Sequence, residues 1–303
     1  MTQTENNIVL CSITLCWASS SVFIKGLPAS LSPFAYLTLT SGIASVLLLA
    51  VFFRRLAQIR RKTLLSSLLL SAFMAGNLLA EKAGLSFLSA SAASFLGSLT
   101  ILIVPLILLF LRRPPGRNSV LGIAVILLGL LATKGFQIRS FWNMGTLYML
   151  VGCCFMAGYT MAANRFIKDD DPLLVGVLQI CFSTVIGFAL WMAEEPSTFL
   201  SLDYTREMLS SIFILAFFAK AYAYIALMYS QKYTNPLHVT IIASTEPVVT
   251  LALAMLIPAS FGGAEQPTLW TLTGSAAIVS GTIIAGTHFP GKKKASAQAG
   301  AAP

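Results

Sequence analysis

Apolar runs of about 20 residues, the length that a helix needs to cross a bilayer, follow one another along almost the whole sequence. Hydrophobic residues make up 56% of the 303 positions and charged residues only 10%, which leaves too little polar surface to cover a soluble globule. We therefore predict an all-α polytopic membrane protein with ten transmembrane helices. The predicted helices are residues 8–24, 33–53, 63–87, 89–111, 120–133, 142–164, 173–193, 207–229, 235–257 and 268–288.

The ten predicted helices divide into two sets of five, residues 8–139 and residues 140–288. A gapless alignment of Pro105 with Pro247 brings the apolar runs of the two sets into register. Because five is an odd number, the two sets would cross the bilayer in opposite directions, as inverted-topology repeats do. In such folds the binding site lies near the midplane, at the interface between the repeats.

The positive charges indicate an orientation. If the amino terminus is cytoplasmic, fourteen of the 20 Lys and Arg residues fall in inner loops, five in outer loops, and Lys220 lies within a helix. We therefore expect both termini in the cytoplasm, with residues 289–303 as a disordered basic tail. The net charge of +9 is spread over short loops, which does not indicate a nucleic-acid partner.

Two of the predicted helices, residues 89–111 and 235–257, carry a proline near the middle, Pro105 and Pro247. Proline removes a backbone donor and opens the helix, and within a membrane the freed groups need protein neighbours or a water-filled cavity. We predict that both prolines break their helices and that these helices face each other across a solute pathway.

Two charged residues are predicted at the midplane. Counted from the turn near residue 232, Lys220 and Glu246 lie roughly 15–18 Å deep at about 1.5 Å per residue. Unpaired charges are unfavourable at that depth, so the two are predicted to pair. The pair could hold the ends of a zwitterionic solute, exchange a proton, or only lock two helices. Glu81 and Lys82 are placed near a helix end, where both would reach the interface.

Four uncharged polar or aromatic residues are further candidates for substrate contact. Trp17 lies in the middle of its helix and could contact a solute or pack against neighbouring helices. Asn77 could bind a solute or join two helices by a hydrogen bond. Tyr159 and Tyr224 could present aromatic faces to a ligand or belong to the core.

The sequence contains no recognisable catalytic motif. The sequence has no glycine-rich phosphate loop, no nucleophile elbow and no His-Glu metal motif, and its five cysteines show no metal-ligand spacing. We expect no enzymatic activity, no metal and no cofactor, so any transport would be driven by gradients.

Three segments resemble a known family. Residues 16–25 (CWASSSVFIK), residues 83–93 (AGLSFLSASAA), and Glu246-Pro247-Val248-Val249 with the glycine-containing last helix resemble the EamA-type exporters of the drug/metabolite transporter superfamily. The resemblance extends over nearly all of residues 8–288. It implies two inverted five-helix repeats and export of small metabolites such as amino acids.

Together these features predict a secondary active transporter of small organic metabolites, an exporter of amino acids or related compounds that alternates access around a midplane cavity. A proton-coupled multidrug antiporter and a non-transporting receptor or scaffold are the alternatives. The expected partners are a small-molecule substrate and the lipid bilayer of a bacterial inner membrane, with protons as a candidate coupling ion. The chain is expected to be a monomer or a weak dimer.

Overall fold

The computed structural model describes residues 2–112, 115–133, 143–168 and 170–286, and the regular structure in these ranges is helical. The predicted tail, residues 289–303, lies outside the described residues. The helices are α1 Gln3–Gly26, α2 Pro33–Phe52, α3 Arg61–Leu85, α4 Ala90–Gly97, α5 Thr100–Phe110, α6 Arg117–Ala132, α7 Met144–Phe166, α8 Pro172–Glu194, α9 Thr198–Ser201, α10 Arg206–Ile214, a π-helix Leu215–Tyr222, α11 Ala223–Gln231, α12 Pro236–Ala243, α13 Glu246–Leu256 and α14 Leu269–Gly286, with short 3₁₀ turns at Phe53–Gln58 and Ala259–Phe261.

Eight helical stretches are long and apolar enough to cross a membrane. Two further helices are apolar but shorter, Arg117–Ala132 and Leu269–Ala285, and each is the fifth helix of its half of the chain. Large apolar side chains such as Phe110, Leu256 and Leu269 are exposed on the outside of the bundle. In a membrane this surface would contact lipid.

Polar side chains fix where many of the helices begin. Each accepts a hydrogen bond from a backbone N–H of the first turn, which would otherwise have no partner. Proline at the first helical position adds to this signal in α2, α8 and α12. The capping residues are Thr2, Ser32, Ser89, Asn143, Asp171, Thr205 and Asn235.

The two halves of the chain pack in a symmetric pattern. The third helix of each half lies against the first helix of the other half, as α3 on α7 and α11 on α1. The second helices, α2 and α8, pack on each other, and so do the fifth helices, α6 and α14. The chain therefore consists of two structural repeats.

The fifth helices meet at glycines. A Cβ atom on Gly122 would lie 2.5 Å from the carbonyl oxygen of Gly281, and one on Gly274 would lie 2.5 Å from that of Gly129. Only residues without side chains allow backbones to approach this closely. Since Gly122 faces Gly281 and Gly129 faces Gly274, α6 and α14 run antiparallel.

The fourth helix of each half is broken at the same place. In the first half, α4 begins at Ala90 and α5 begins at Thr100 after the break. In the second half, α12 begins at Pro236 and α13 begins at Glu246. Each start in the second half lies 146 positions after its counterpart in the first. The predicted alignment of Pro105 with Pro247, which are 142 apart, is therefore wrong by one helical turn. Its error came from taking the prolines as equivalent positions.

Tight turns make both breaks. In the first half the amide of Leu99 bonds to the carbonyl of Leu96, and in the second the amide of Thr245 bonds to that of Ile242, three residues back in each case. Pro247 follows the second break directly, whereas Pro105 lies inside the continuous helix α5. The prediction that Pro105 breaks its helix is wrong, because the break comes earlier, after Gly97.

Candidate functional site

A cavity of about 100 Å³ lies between the two halves. Its walls come from the first, third and fourth helices of each half: α1, α3 and α4–α5 from the first, and α7, the π-helix with α11, and α12–α13 from the second. Both helix breaks line the cavity, through Ser98 and Ser244. The helix pairs α2/α8 and α6/α14 stand outside it.

Lys220 projects from the π-helix and is 1% exposed. Its Nζ atom lies 5.2 Å from the centre of the Tyr36 ring and 5.8 Å from that of Tyr224, within the range of cation–π attraction. The carboxylate that interacts electrostatically with Lys220 is Glu81 of α3, and Ser21 of α1 lies beside Glu81 in the cavity wall. Lys220 therefore joins the second half of the chain to the first.

The π-helix distinguishes the third helices of the two halves. The stretch Arg206–Gln231 has 26 residues, and its counterpart Arg61–Leu85, which is α-helical throughout, has 25. A π-helix arises when one residue is inserted into an α-helix, and such insertions are common at functional sites. One extra residue rotates the two flanking segments by about 100° relative to each other. Here the insertion coincides with the lysine of the cavity.

Glu246 begins α13 on the far side of the helix break. Its Oε1 atom accepts a 3.3 Å hydrogen bond from the Ser94 hydroxyl of α4, and Ser94 in turn accepts a 3.0 Å bond from Thr250. The first turn of a helix favours a negative charge because the N–H groups there point toward it. Glu246 also interacts electrostatically with Glu81, so the two acids lie in the same region of the cavity.

The comparisons with known proteins identify the family. The family model described as "EamA-like transporter family" matches twice, at residues 6–134 and at residues 143–287. This chain belongs to the EamA-like transporter family. A solved structure described as "Crystal structure of protein" superimposes with a TM-score of 0.73 over 94% of this chain and 98% of that chain, at 17% sequence identity, which shows a shared fold. No curated protein matches by sequence.

The EamA-like family is a family of membrane transporters and not of enzymes, and the cavity agrees with that class. Within the ranges that the structure describes, no group of three or more His, Cys, Asp and Glu side chains could hold a metal ion. What the cavity offers is a set of polar and aromatic contacts for a solute that enters between the two halves.

The predicted pair of Lys220 and Glu246 is not formed in this EamA-like transporter. Both residues line the cavity, but in the described part of the chain no ion pair joins Lys220 to Glu246 or to Glu81, and the acid that interacts electrostatically with Lys220 is Glu81. The prediction assumed that neighbouring helices bring the two charges together. It placed Glu81 near the end of its helix, where the side chain would reach the interface, whereas the structure shows Glu81 in the cavity wall.

The sequence spacing between Asn77 and Glu81 could have identified Glu81 as a residue of the cavity. Glu81 follows Asn77 by four positions, so the two side chains lie on the same face of α3, and both line the cavity. The adjacent Lys82 suggested an interfacial pair, but Lys82 is buried on another face of α3. Its neighbour in space is Lys25, whose Nζ donates a 2.9 Å bond to the Leu85 carbonyl.

The aromatic candidates form a connected row. Trp17 and Tyr224 line the cavity with ring centres 5.8 Å apart, and Tyr159 packs edge-on against Tyr224 at 5.7 Å. Tyr159 is fully buried behind this wall and donates a 3.1 Å hydrogen bond to Gln179. Trp17 and Tyr224 can thus reach a solute, whereas Tyr159 supports Tyr224.

Proposed function

We propose that this EamA-like transporter is a secondary active transporter of small organic metabolites, amino acids or related compounds among them, and that it works as an exporter by alternating access. The observation that carries the proposal is the composition of the cavity wall. The same three helices of each half contribute to it, so a rocking motion of one half against the other would open the cavity to either side in turn. Trp17, Asn77, Tyr224, Lys220 and Glu246 are the proposed substrate contacts.

The proposal includes ten membrane crossings in two inverted repeats, with both termini in the cytoplasm of a bacterial cell. The antiparallel contact of α6 with α14 supports the inversion, because helices in equivalent positions of inverted repeats must run in opposite directions. The two helices are also the shortest candidates for crossing. Reporter fusions after Lys62 and Lys294 should read cytoplasmic, and a fusion near Glu195 should read external.

A proton-coupled multidrug antiporter is the second candidate. Two acids and an aromatic wall in one cavity, Glu81 and Glu246 with Trp17 and Tyr224, favour it. The two candidates differ in selectivity: a metabolite exporter should prefer few solutes of one chemical type, whereas a multidrug antiporter should accept bulky cations of unrelated shape.

Transport by the purified protein in sealed lipid vesicles tests the proposal. Vesicles loaded with an unlabelled amino acid or amine should accumulate the labelled form by exchange, and an imposed pH gradient should show whether protons drive the flux. Vesicles without protein are the control. No saturable exchange for any solute in the series, with correctly inserted and folded protein, would contradict the proposed function.

A further inference from the structure

The cavity wall contains more acids than bases. In the described part of the chain, the charged side chains that line it are Glu81, Lys220 and Glu246, which are two acids and one base. Charges within a membrane protein are generally paired with each other or face water. One carboxyl group in this cavity therefore lacks a positive partner among the described residues.

The acid that interacts electrostatically with Lys220 is Glu81. The lysine also lies within cation–π range of the Tyr36 and Tyr224 rings, and Ser21 lies beside the glutamate. A substrate carboxylate that approached Lys220 would have to compete with Glu81 and would be repelled by it. The arrangement therefore disfavours the predicted binding of an amino acid with its carboxylate at Lys220 and its ammonium group at Glu246.

In the part of the chain that the structure describes, the acid without a positive partner is Glu246. Its protein contacts are the long bond from Ser94, repulsion from Glu81, and electrostatic interactions with Tyr224 and Cys153. Packed against α13 are α1, α4 and α14. From these helices the cavity receives Trp17, Ser20, Ser21, Ala93, Ser94 and Gly97, none of which carries a charge. A carboxylate can accept several hydrogen bonds, so Glu246 keeps acceptor positions open to the cavity.

We propose that Glu246 binds the ammonium group of a monocationic organic amine and that the amine competes there with a proton. The proposal rests on the proposed transport function and specifies its substrate class. When the amine enters, the protonated Glu246 carboxyl releases its proton to water and the ammonium takes its place, so the charge of the cavity is conserved. Trp17 lies in the same cavity and offers an aromatic face for the cation.

Binding of three probes that share one ring tests this assignment: phenethylamine, phenylalanine and 3-phenylpropionate, which are a cation, a zwitterion and an anion. Calorimetry on the purified full chain in detergent should show the amine bound at least 10-fold more tightly than phenylalanine, and no binding of the anion. Affinity for the amine should fall as the pH is lowered, because protonation of Glu246 removes its charge while the amine stays cationic.

The variant Glu246→Gln should abolish the preference for the amine, and Glu194→Gln, which neutralises an exposed carboxylate at the end of α8, should leave it unchanged. The relative affinities of the three probes are measured on the unaltered protein, so the assignment stays testable if Glu246→Gln fails to fold. Phenylalanine bound as tightly as the amine, a preference that survives Glu246→Gln, or an affinity independent of pH would each overturn it. Vesicle flux of phenylalanine without this preference would leave the proposed transport function standing, whereas absence of all flux would remove that function instead.

Discussion

Lys220 and Glu81 interact electrostatically from opposite halves of the chain, Lys220 from the π-helix of the second half and Glu81 from α3 of the first. Their attraction acts across the interface where the cavity lies. Removing either charge leaves the other without its counter-charge in a buried site, which is destabilising. Which acid is the partner of Lys220 can therefore be found by neutralising Lys220 together with each acid in turn and comparing the stability of the two double variants.

The first prediction concerns this choice of partner. Lys220→Met alone should lower the melting temperature and the amount of folded protein, because Glu81 loses its counter-charge. Adding Glu81→Gln should restore much of that loss, whereas adding Glu246→Gln should restore less. Thermal unfolding of the three variants in detergent measures the difference. Equal or better rescue by Glu246→Gln would show that Lys220 pairs with Glu246 after all.

The second prediction concerns access to the cavity. A Cβ atom on Gly152 of α7 would lie 3.4 Å from Oδ1 of Asn77, so the side chain of Gly152→Val would project into the space between α3 and α7. Transport should fall at least 10-fold with the protein still folded. Gly116→Val is the matched control, since a Cβ atom there meets nothing within 4 Å. Undiminished flux in Gly152→Val would exclude this cavity as the solute path.

The third prediction concerns the contact between α6 and α14. A methyl group on Gly122 or on Gly281 would lie 2.5 or 2.7 Å from a backbone oxygen of the other helix, and backbone cannot move aside as a flexible side chain can. Overpacking of this kind typically costs about 1–3 kcal/mol. Gly122→Ala and Gly281→Ala should therefore lower the melting temperature by several degrees. Gly42→Ala, where the nearest atom is 3.5 Å away, should not, and equal effects at all three sites would refute the close contact.

The fourth prediction separates the two prolines. Pro105 lies inside α5, away from the break, so Pro105→Ala should restore a helical hydrogen bond and leave transport within about two-fold of normal. Pro247 directly follows the break that lines the cavity, and Pro247→Ala supplies an N–H that could extend α12 through it. Transport should fall more in Pro247→Ala. The reverse order, at matched protein levels, would assign the functional break to Pro105.

The sequence predicted the helices more accurately than the contacts between them. The predicted runs 33–53 and 173–193 differ by one residue at each end or less from Pro33–Phe52 and Pro172–Glu194, because apolar length determines where a chain can cross lipid. The pairing of Lys220 was wrong because it depends on how helices from different halves pack, which depth along a helix does not reveal. Glu81 could have been placed from its spacing to Asn77.

The π-helix could not be predicted, because a single inserted residue barely changes the apolar pattern of a 26-residue stretch. Its role is the last prediction. Deleting Phe218, whose side chain is 48% exposed, should convert the π-helix to an α-helix and change the rotation of Lys220 relative to α10 by about 100°. Lys220 would then no longer face Glu81, and transport should be lost.

The control for this deletion is Phe218→Ala, which removes the same side chain and keeps the number of residues. It should retain transport, because Phe218 is directed outward and takes no part in the cavity wall. Protein amount and melting temperature show whether the deletion variant has unfolded. If it has, inserting one alanine after Met74 of α3 tests the same relationship, because the insertion rotates Glu81 instead of Lys220. If the folded deletion variant transports as well as Phe218→Ala, the extra residue of the π-helix does not position Lys220 for function.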